Sequence, residues 1–422
     1  MPLSVCSVST AFSRITVSGS LTVPSDSARC EAVYASSQLQ QKQIPPIATL
    51  AFRSSHNRSS AAPSVQINRG RSFTMTISAA TSNAVEMNGL SVATKTESIP
   101  VFTLEEVASK LQQFTEPKRK PYTAMYSSIV GGITLDPAAM VVPLDDHIVH
   151  RGHAVFDTAT VFNGYLYELD AHVDRLLRSA AQARIPLPFS RSVLRNILVQ
   201  TAAASGSREG TLRYWLSTGP GGFDLSPSEC EKSSFYAVMI AVRAESPGAV
   251  SVITSSVPIK KQKFATMKTT NYLPNALSKM DAEDKGAFQA VWLDDEGYVA
   301  EAANMNVAFV SKGTLLMPAF DNILSGCTAK RVVALAEQLA AKSKGEVLQK
   351  VEVRKISVEE AKSADEMMLL VSSYRVVPVT EWDGQQIGDG VVGPVTRLIS
   401  DVMYQDLING PPEVREPVPY QQ

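Results

Sequence analysis

The sequence predicts an α+β fold in two domains. Its 422 residues suit two or three units of ordinary size, and 44% hydrophobic against 19% charged residues is enough to bury sizeable cores. Stretches with apolar residues at helical spacing are interspersed with short apolar runs bounded by turn residues. The stretch Ala244–Gly248, with Ser246, Pro247 and Gly248, looks like a linker and divides the body in two.

The first domain is expected over residues 118–243. Ahead of it, Thr103 to about Phe114 reads as a helix with Leu104, Val107 and Leu111 on one face. Strands are expected at Ala124–Val130 and Ala139–Pro143. Further strands, His153–Phe162 and Tyr165–Leu169, flank Asn163-Gly164, a pair that favours a type I′ hairpin turn. Asp170 is placed to cap a helix carrying Val173, Leu176, Leu177 and Ala180, which Pro186 stops. A second helix, Arg191–Ala204, precedes strands Thr211–Thr218 and Phe235–Val242. The second domain, residues 249–410, opens with a strand at Val250–Ser255 and a helix over Leu273–Lys285. Strands follow at Ala287–Leu293, Val299–Ala300, Val307–Ser311 and Thr314–Met317, joined by turns at Asp294–Gly297 and Lys312-Gly313. A helix spans Thr328–Lys342, Ser357 and Glu360 form a capping box for another, and Met367–Ser372 reads as a buried strand. No solenoid repeat is present.

The net charge of −1 excludes a broadly basic protein that coats nucleic acid. No run approaches the ~20 apolar residues of a membrane-spanning helix, so no membrane partner is expected. Four cysteines (Cys6, Cys30, Cys230, Cys327) without CxxC spacing suggest neither a metal site nor a disulfide framework. The charge is unevenly spread. Residues 1–80 hold seven Lys or Arg, two acids and seventeen serines, and the remaining chain carries 33 basic and 39 acidic residues. A Ser-rich, Arg-bearing, acid-poor leader on an acidic body is the composition of an organellar transit peptide, and we assign residues 1–100 to it and its trailing linker. The serine content favours the chloroplast over the mitochondrion.

GxxxxGK[ST], HExxH and GxSxG are all absent from the body, which removes the main support for P-loop nucleotide, zinc-peptidase and serine-hydrolase chemistry. Four other features suit an aldehyde cofactor with a phosphate and a pyridine ring. Lys268, in Phe264–Pro274, sits between a strand and a helix, where partial desolvation lets a lysine form a Schiff base. Glu301 follows a strand and could pair with a pyridine nitrogen. Arg175, on the helix after Asp170, could grip a phosphate with both arms of its fork. Gly326-Cys327-Thr328 opens a helix whose free amides would seat that phosphate. Singly, each has an ordinary alternative: a solvated lysine, a surface ion pair, a helix arginine, a threonine cap.

Together and in this order they resemble the fold-type IV pyridoxal-phosphate enzymes, the group of branched-chain aminotransferases, D-amino-acid transaminases and aminodeoxychorismate lyases. The resemblance runs from about Tyr122 to Glu413. It takes in Arg151-Gly152-His153-Ala154-Val155-Phe156-Asp157-Thr158, the Asn163-Gly164 hairpin, Pro378-Val379 and Gly388-Asp389-Gly390. Leu144-Asp145-Asp146-His147, Arg213-Tyr214-Trp215-Leu216-Ser217 and Gly410-Pro411-Pro412 narrow it to the plant plastid branch of the D-amino-acid transaminases, which is also credited with lyase activity.

The resemblance implies a homodimer acting on amino acids and 2-oxo acids. Lys268 becomes the Schiff-base lysine and proton carrier, and Glu301 the partner of the ring nitrogen. Arg175, Cys327 and Thr328 become the phosphate site, with Ser372 or Ser373 at the phosphate or substrate. D-amino-acid transamination is the expected reaction. The alternatives are lysis of aminodeoxychorismate to 4-aminobenzoate and pyruvate, L-branched-chain transamination, and cofactor binding without turnover. One departure is informative. The tyrosine and Arg-x-His pair that trap the substrate carboxylate in bacterial D-amino-acid transaminases are replaced here by Phe156, Phe223 and Leu225. Arg151 and His153, taken as sharing one face of the strand leading to Phe156, are the expected substitutes.

Overall fold

The computed structural model describes residues 98–116, 122–242, 245–342 and 346–420. The leader expected over residues 1–100 lies, but for its last three residues, outside the described residues, as does Ala244, the first residue of the expected linker.

Two sheets organise the chain from Val92 onward. The first is built from β1 (Tyr122–Ser127), β2 (Gly132–Thr134), β3 (Ala154–Phe162), β4 (Tyr165–Tyr167), β5 (Gly210–Ser217) and β6 (Ser234–Ile240). The second is built from β7 (Val250–Thr254), β8 (Gln289–Leu293), β9 (Val299–Ala302), β10 (Asn306–Ser311), β11 (Thr314–Met317), β12 (Lys350–Val353), β13 (Glu366–Val371), β14 (Arg375–Trp382) and the short β15 (Gln385–Gln386). The last strand, β16 (Arg415–Pro417), returns to the first sheet beside β4, giving the order β16-β4-β3-β5-β6-β1-β2. The second sheet runs β12-β11-β10-β13-β14-β7-β8-β9, with β15 on β14.

Local chemistry accounts for the element boundaries. Asn163 and Gly164 both take positive φ (49° and 80°), so β3 and β4 pair with Thr160 opposite Tyr167, the register of a tight hairpin. Thr103 and Glu106 cap each other reciprocally at the start of α1 (Leu104–Thr115). A one-turn helix, α2 (His147–His150), is capped by Asp146. It is followed by α3 (Leu169–Gln182) and by α4 (Arg191–Ala204), where Ser190 accepts the Val193 amide. Between the sheets' strands lie α5 (Gln262–Ala265), α6 (Leu273–Asp284), α7 (Cys327–Lys342), α8 (Val358–Lys362) and α9 (Pro394–Asn409). The buried carboxylate of Glu366, on β13, accepts the Val395 and Thr396 amides and so caps α9 from inside the protein. On β3, Val155, Ala159 and Val161 pack with Val173, Leu176 and Ala180 of α3 in the first core. Burial of a leucine such as Leu176 is worth about 1.5–3 kcal/mol. The second sheet buries both faces, one around Phe309 and Trp382, the other beneath α7 and α9.

Five expectations need correction. Ala139–Pro143 forms no strand, because Asp136 caps a single 3-10 turn over Pro137–Ala139 and the backbone beyond it is irregular. Glu168, in a left-handed conformation (φ 53°), occupies the position before α3, and Asp170 lies inside its first turn, where its charge favours the helix dipole. At α8 Ser357 does accept the Glu360 amide, but the Glu360 carboxylate turns to Arg354 and the box is half formed. Glu301 lies within β9 and does not follow it. Arg151 caps the end of α2 and His153 precedes β3, so the strand alternation invoked for this pair does not reach them.

Candidate active site

A cavity of about 670 Å³ opens between the two sheets. The first sheet contributes Phe156 and Thr158 from β3 and Arg213 from β5. The second side brings Lys268 and Tyr272, Glu301 on β9, and Gly326, Cys327 and Thr328 at the start of α7. Strand alternation explains the first wall: with Val155, Ala159 and Val161 in the core, Phe156 and Thr158 fall on the other face.

Lys268 is held by backbone bonds to β3. The Phe156 amide donates to the Lys268 carbonyl (2.9 Å), Val155 bridges Thr269, and the Lys268 amide donates to Ser179 Oγ (3.2 Å). Its amine points under the Phe156 ring, 4.7 Å from the centroid, and donates to Tyr272 Oη at 3.3 Å. Burial, reinforced by the Arg175 charge, lowers its pKa to about 8. Glu301 is buried and accepts hydrogen bonds from the Leu324 amide and Asn306 Nδ2, each at 3.3 Å. Burial pushes its pKa up to about 7, against the opposing charge of Lys260.

Arg175 reaches the cavity wall, but most of its fork is engaged. Its Nε and Nη2 donate to Asp157 at 2.8 and 2.7 Å, and His172 Nδ1 lies 2.7 Å from the same carboxylate. Burial alone would favour the neutral acid at Asp157, yet Arg175 and His172 outweigh it and hold the carboxyl far below its usual range. His172 is penalised by burial but raised by the Cys327 sulfur and Asp157, to about 10. The two-armed grip expected for a phosphate is therefore turned on Asp157, which leaves Nη1 for the cavity.

Three observations bear on whether pyridoxal phosphate fits. Gly326 O accepts the first helical bond of α7, from Lys330, so the amides of the next residues have no partner within the helix. A Cβ on Gly326 would run into Asn306 Oδ1, so the approach at that turn requires glycine. Ser325 Oγ is buried there without a partner among the described residues. With an amine of lowered pKa and a buried carboxylate in the same cavity, the donor set fits the group. Ser372 and Ser373 also line the cavity; the Ser372 carbonyl accepts from Thr160 and its hydroxyl from Thr328.

Arg151 and His153 do not line this cavity. Arg151 donates to the carbonyls of His150, Phe223 and Asp224, and His153 Nε2 faces the Ala183 carbonyl at 2.9 Å. Arg151 thus fastens the loop 219–225, in which Gly219 takes φ 101° and a Cβ would strike the Lys232 carbonyl. The structure adds Arg213, Tyr272 and Lys260 to the cavity wall. Arg213 faces its cross-strand partner Thr158, donating from Nε to Oγ1 at 3.3 Å, and has no carboxylate partner among the described residues. Its one legible signal is a cation at an alternating position of an apolar strand.

Residues 154–382 match the family described as amino-transferase class IV. The chain is 54% identical to the chloroplastic D-amino-acid transaminase of Arabidopsis thaliana, over 76% of this chain and 86% of that one. It is 27% identical to the D-alanine aminotransferase of Bacillus licheniformis, over 67% and 97%. Among solved structures, the fold is shared with a branched-chain amino acid aminotransferase of Escherichia coli, with TM-score 0.64, 22% identity, and coverage of 71% of this chain and 100% of that one. The chain therefore belongs to the class IV aminotransferases, whose cofactor is pyridoxal phosphate.

Proposed function

We propose that this protein transfers the amino group of D-amino acids to 2-oxo acids such as 2-oxoglutarate and pyruvate. The carrying observation is that Lys268 and Glu301 share one cavity with the open N-terminus of α7; the likeness to the Arabidopsis enzyme supports the D-amino-acid substrate. When bound, the cofactor supplies an aldehyde for amino groups and a pyridine ring that draws electrons from Cα. Lys268 would hold the aldehyde, and an amine with a pKa near 8 is suited to take the Cα proton and return it one atom away. Glu301 would face the ring nitrogen, and its pKa near 7 suits it to share a proton there. The α7 amides, Thr328, Ser373 and Arg175 Nη1 would hold the phosphate. Arg213, a cation on the cavity wall without a carboxylate partner among the described residues, takes the substrate carboxylate. This replaces Arg151 and His153 in that role within their own chain.

The same reading assigns residues 1–100 to a plastid transit leader, residues 118–243 and 249–410 to two domains, and the active form to a homodimer. An assay of the purified protein with D-alanine, D-aspartate, L-leucine and aminodeoxychorismate tests it. Turnover of the D-amino acids with 2-oxoglutarate is expected, and Arg213→Met should raise KM for amino and oxo acids by about tenfold or more. Faster turnover of L-leucine, or pyruvate release from aminodeoxychorismate as the sole reaction, would overturn it.

A further inference from the structure

Lys260 is a cavity cation whose charge opposes the rise at Glu301 and to which the chemistry above gives no further role. It precedes α5 in the loop after β7, and its side chain lines the cavity. Its neighbour Lys261 turns away to Asp295, whose two carboxylate oxygens both lie at 2.8 Å. Lys260 has no carboxylate partner among the described residues. Its Nζ stands instead 4.8 Å from the centroid of the Tyr272 ring. The adjoining Ile259 packs against the buried cluster of Trp292, Ala300, Ala303 and Ile323, which fixes the loop that presents Lys260.

Tyr272 links this cation to the reacting amine. Its hydroxyl accepts from Lys268 Nζ at 3.3 Å, and Phe156 meets its ring edge-on at 5.0 Å. Lys268 Nζ lies 5.7 Å from the same centroid, so the two ammonium groups are no more than roughly 10 Å apart.

We propose that Lys260 is a positioning residue for Lys268: held on the face of Tyr272, its charge keeps the Tyr272 hydroxyl against the Lys268 amine and weakens that amine's hold on its proton. The inference rests on the aminotransferase reading of the site. A cation over an aromatic face is attractive and orients the ring. A positive charge nearby favours the deprotonated form of both an amine and a phenol. The charges acting directly on Lys268 are Arg175 from α3, Asp157 from β3, Glu301 from β9 and Cys327 from α7, and Lys260 reaches it across the Tyr272 ring. Tyr272 is faced by Glu301, Arg175 and Asp157 as well as Lys260. Burial pushes Tyr272 up to about 12, and Lys260 is the leading charge that opposes it. At Tyr272, Lys260 thus acts in the same sense as Arg175 and against the carboxylates.

The test is a pH titration of the visible absorbance of the bound cofactor in the holoenzyme. A unit charge at roughly 10 Å, with an effective dielectric constant of about 20, moves a neighbouring pKa by about one unit. The midpoint should therefore rise by about one unit in Lys260→Met and return toward the parent in Lys260→Arg. Uptake of pyridoxal phosphate by the apoprotein requires the neutral amine, so its pH profile should move the same way. If Lys260→Met holds its cofactor poorly, Lys260→Gln and this uptake profile give the same reading. A midpoint within about 0.2 units of the parent would overturn the inference. Neither measurement needs turnover. A parent protein that loads the cofactor but transaminates nothing refutes the transaminase reading, and the midpoint still decides the role of Lys260.

Discussion

Replacing Asp157 by asparagine keeps the shape of a fully buried side chain and removes its charge. In the native protein that carboxylate accepts from Arg175 Nε and Nη2 at 2.8 and 2.7 Å, from His172 at 2.7 Å and from the Thr158 amide at 2.7 Å. The substitution leaves two cationic groups buried beside a neutral amide. Breaking a buried pair in this way costs about 3–5 kcal/mol. At roughly 2–4 °C per kcal/mol for a large domain, Tm should fall by about 6–20 °C. The measurement is urea and thermal unfolding of the apoprotein, so that cofactor binding does not mask the change. Replacing Asp157 and Arg175 together by leucine and methionine should recover part of the loss, because an apolar pair is cheaper to bury than one orphaned charge. A loss below about 1 kcal/mol for Asp157→Asn would refute the idea that this carboxylate organises the wall beneath the phosphate site. The pH dependence has a definite sign. The folded pKa lies below the unfolded value near 3.9, so the contribution is complete above that value and is lost as pH falls below it.

Two further outcomes are expected. Lys268→Ala should lose turnover entirely, together with the cofactor's covalent attachment, read as loss of a borohydride-fixed adduct by mass spectrometry; turnover near the parent rate would remove Lys268 from its role. His147 is fully buried with both ring nitrogens unpartnered among the described residues, and burial together with His150, His153 and Arg151 lowers its pKa. The unfolded chain thus takes up a proton near pH 6.5 that the folded chain refuses, and stability drops as pH falls through that value. His147→Leu should lose less stability than the parent between about pH 7.5 and 5.5 in urea unfolding, and an equal loss would show that His147 does not drive the decline.

How much of the molecule is legible in its sequence depends on how local each cause is. The Asn163-Gly164 turn, the whole of Arg191–Ala204 and the Thr314–Met317 strand follow from turn geometry, helical spacing and capping, which act over a few residues. Ala139–Pro143 reads as extended because its apolar residues carry no record of the Asp136 cap that winds the preceding segment. At the site, Lys268, Glu301 and the Gly326 turn stand out through their immediate context. The partners of Arg175 do not, because Asp157 lies 18 residues away on a strand and its role depends on how α3 packs over β3. Arg151 misleads for the same reason: its partners, Phe223 and Asp224, lie in a loop 72 and 73 residues away. Arg213 and Lys260 are cations without carboxylate partners among the described residues, a property that only the folded surroundings define.

The return of β16 to the first sheet has a consequence for the order of assembly. Arg415–Pro417 completes the edge at β4, with Arg195 reaching Glu416 across the seam and Tyr167 bonded to Asp406. A ribosome must therefore read past Pro417 before the first sheet can close. Until then β4 offers an unpaired edge to any neighbouring strand. Chains arrested after residue 410 should be the aggregation-prone species during synthesis, and sedimentation of such stalled chains against full-length ones would reveal it.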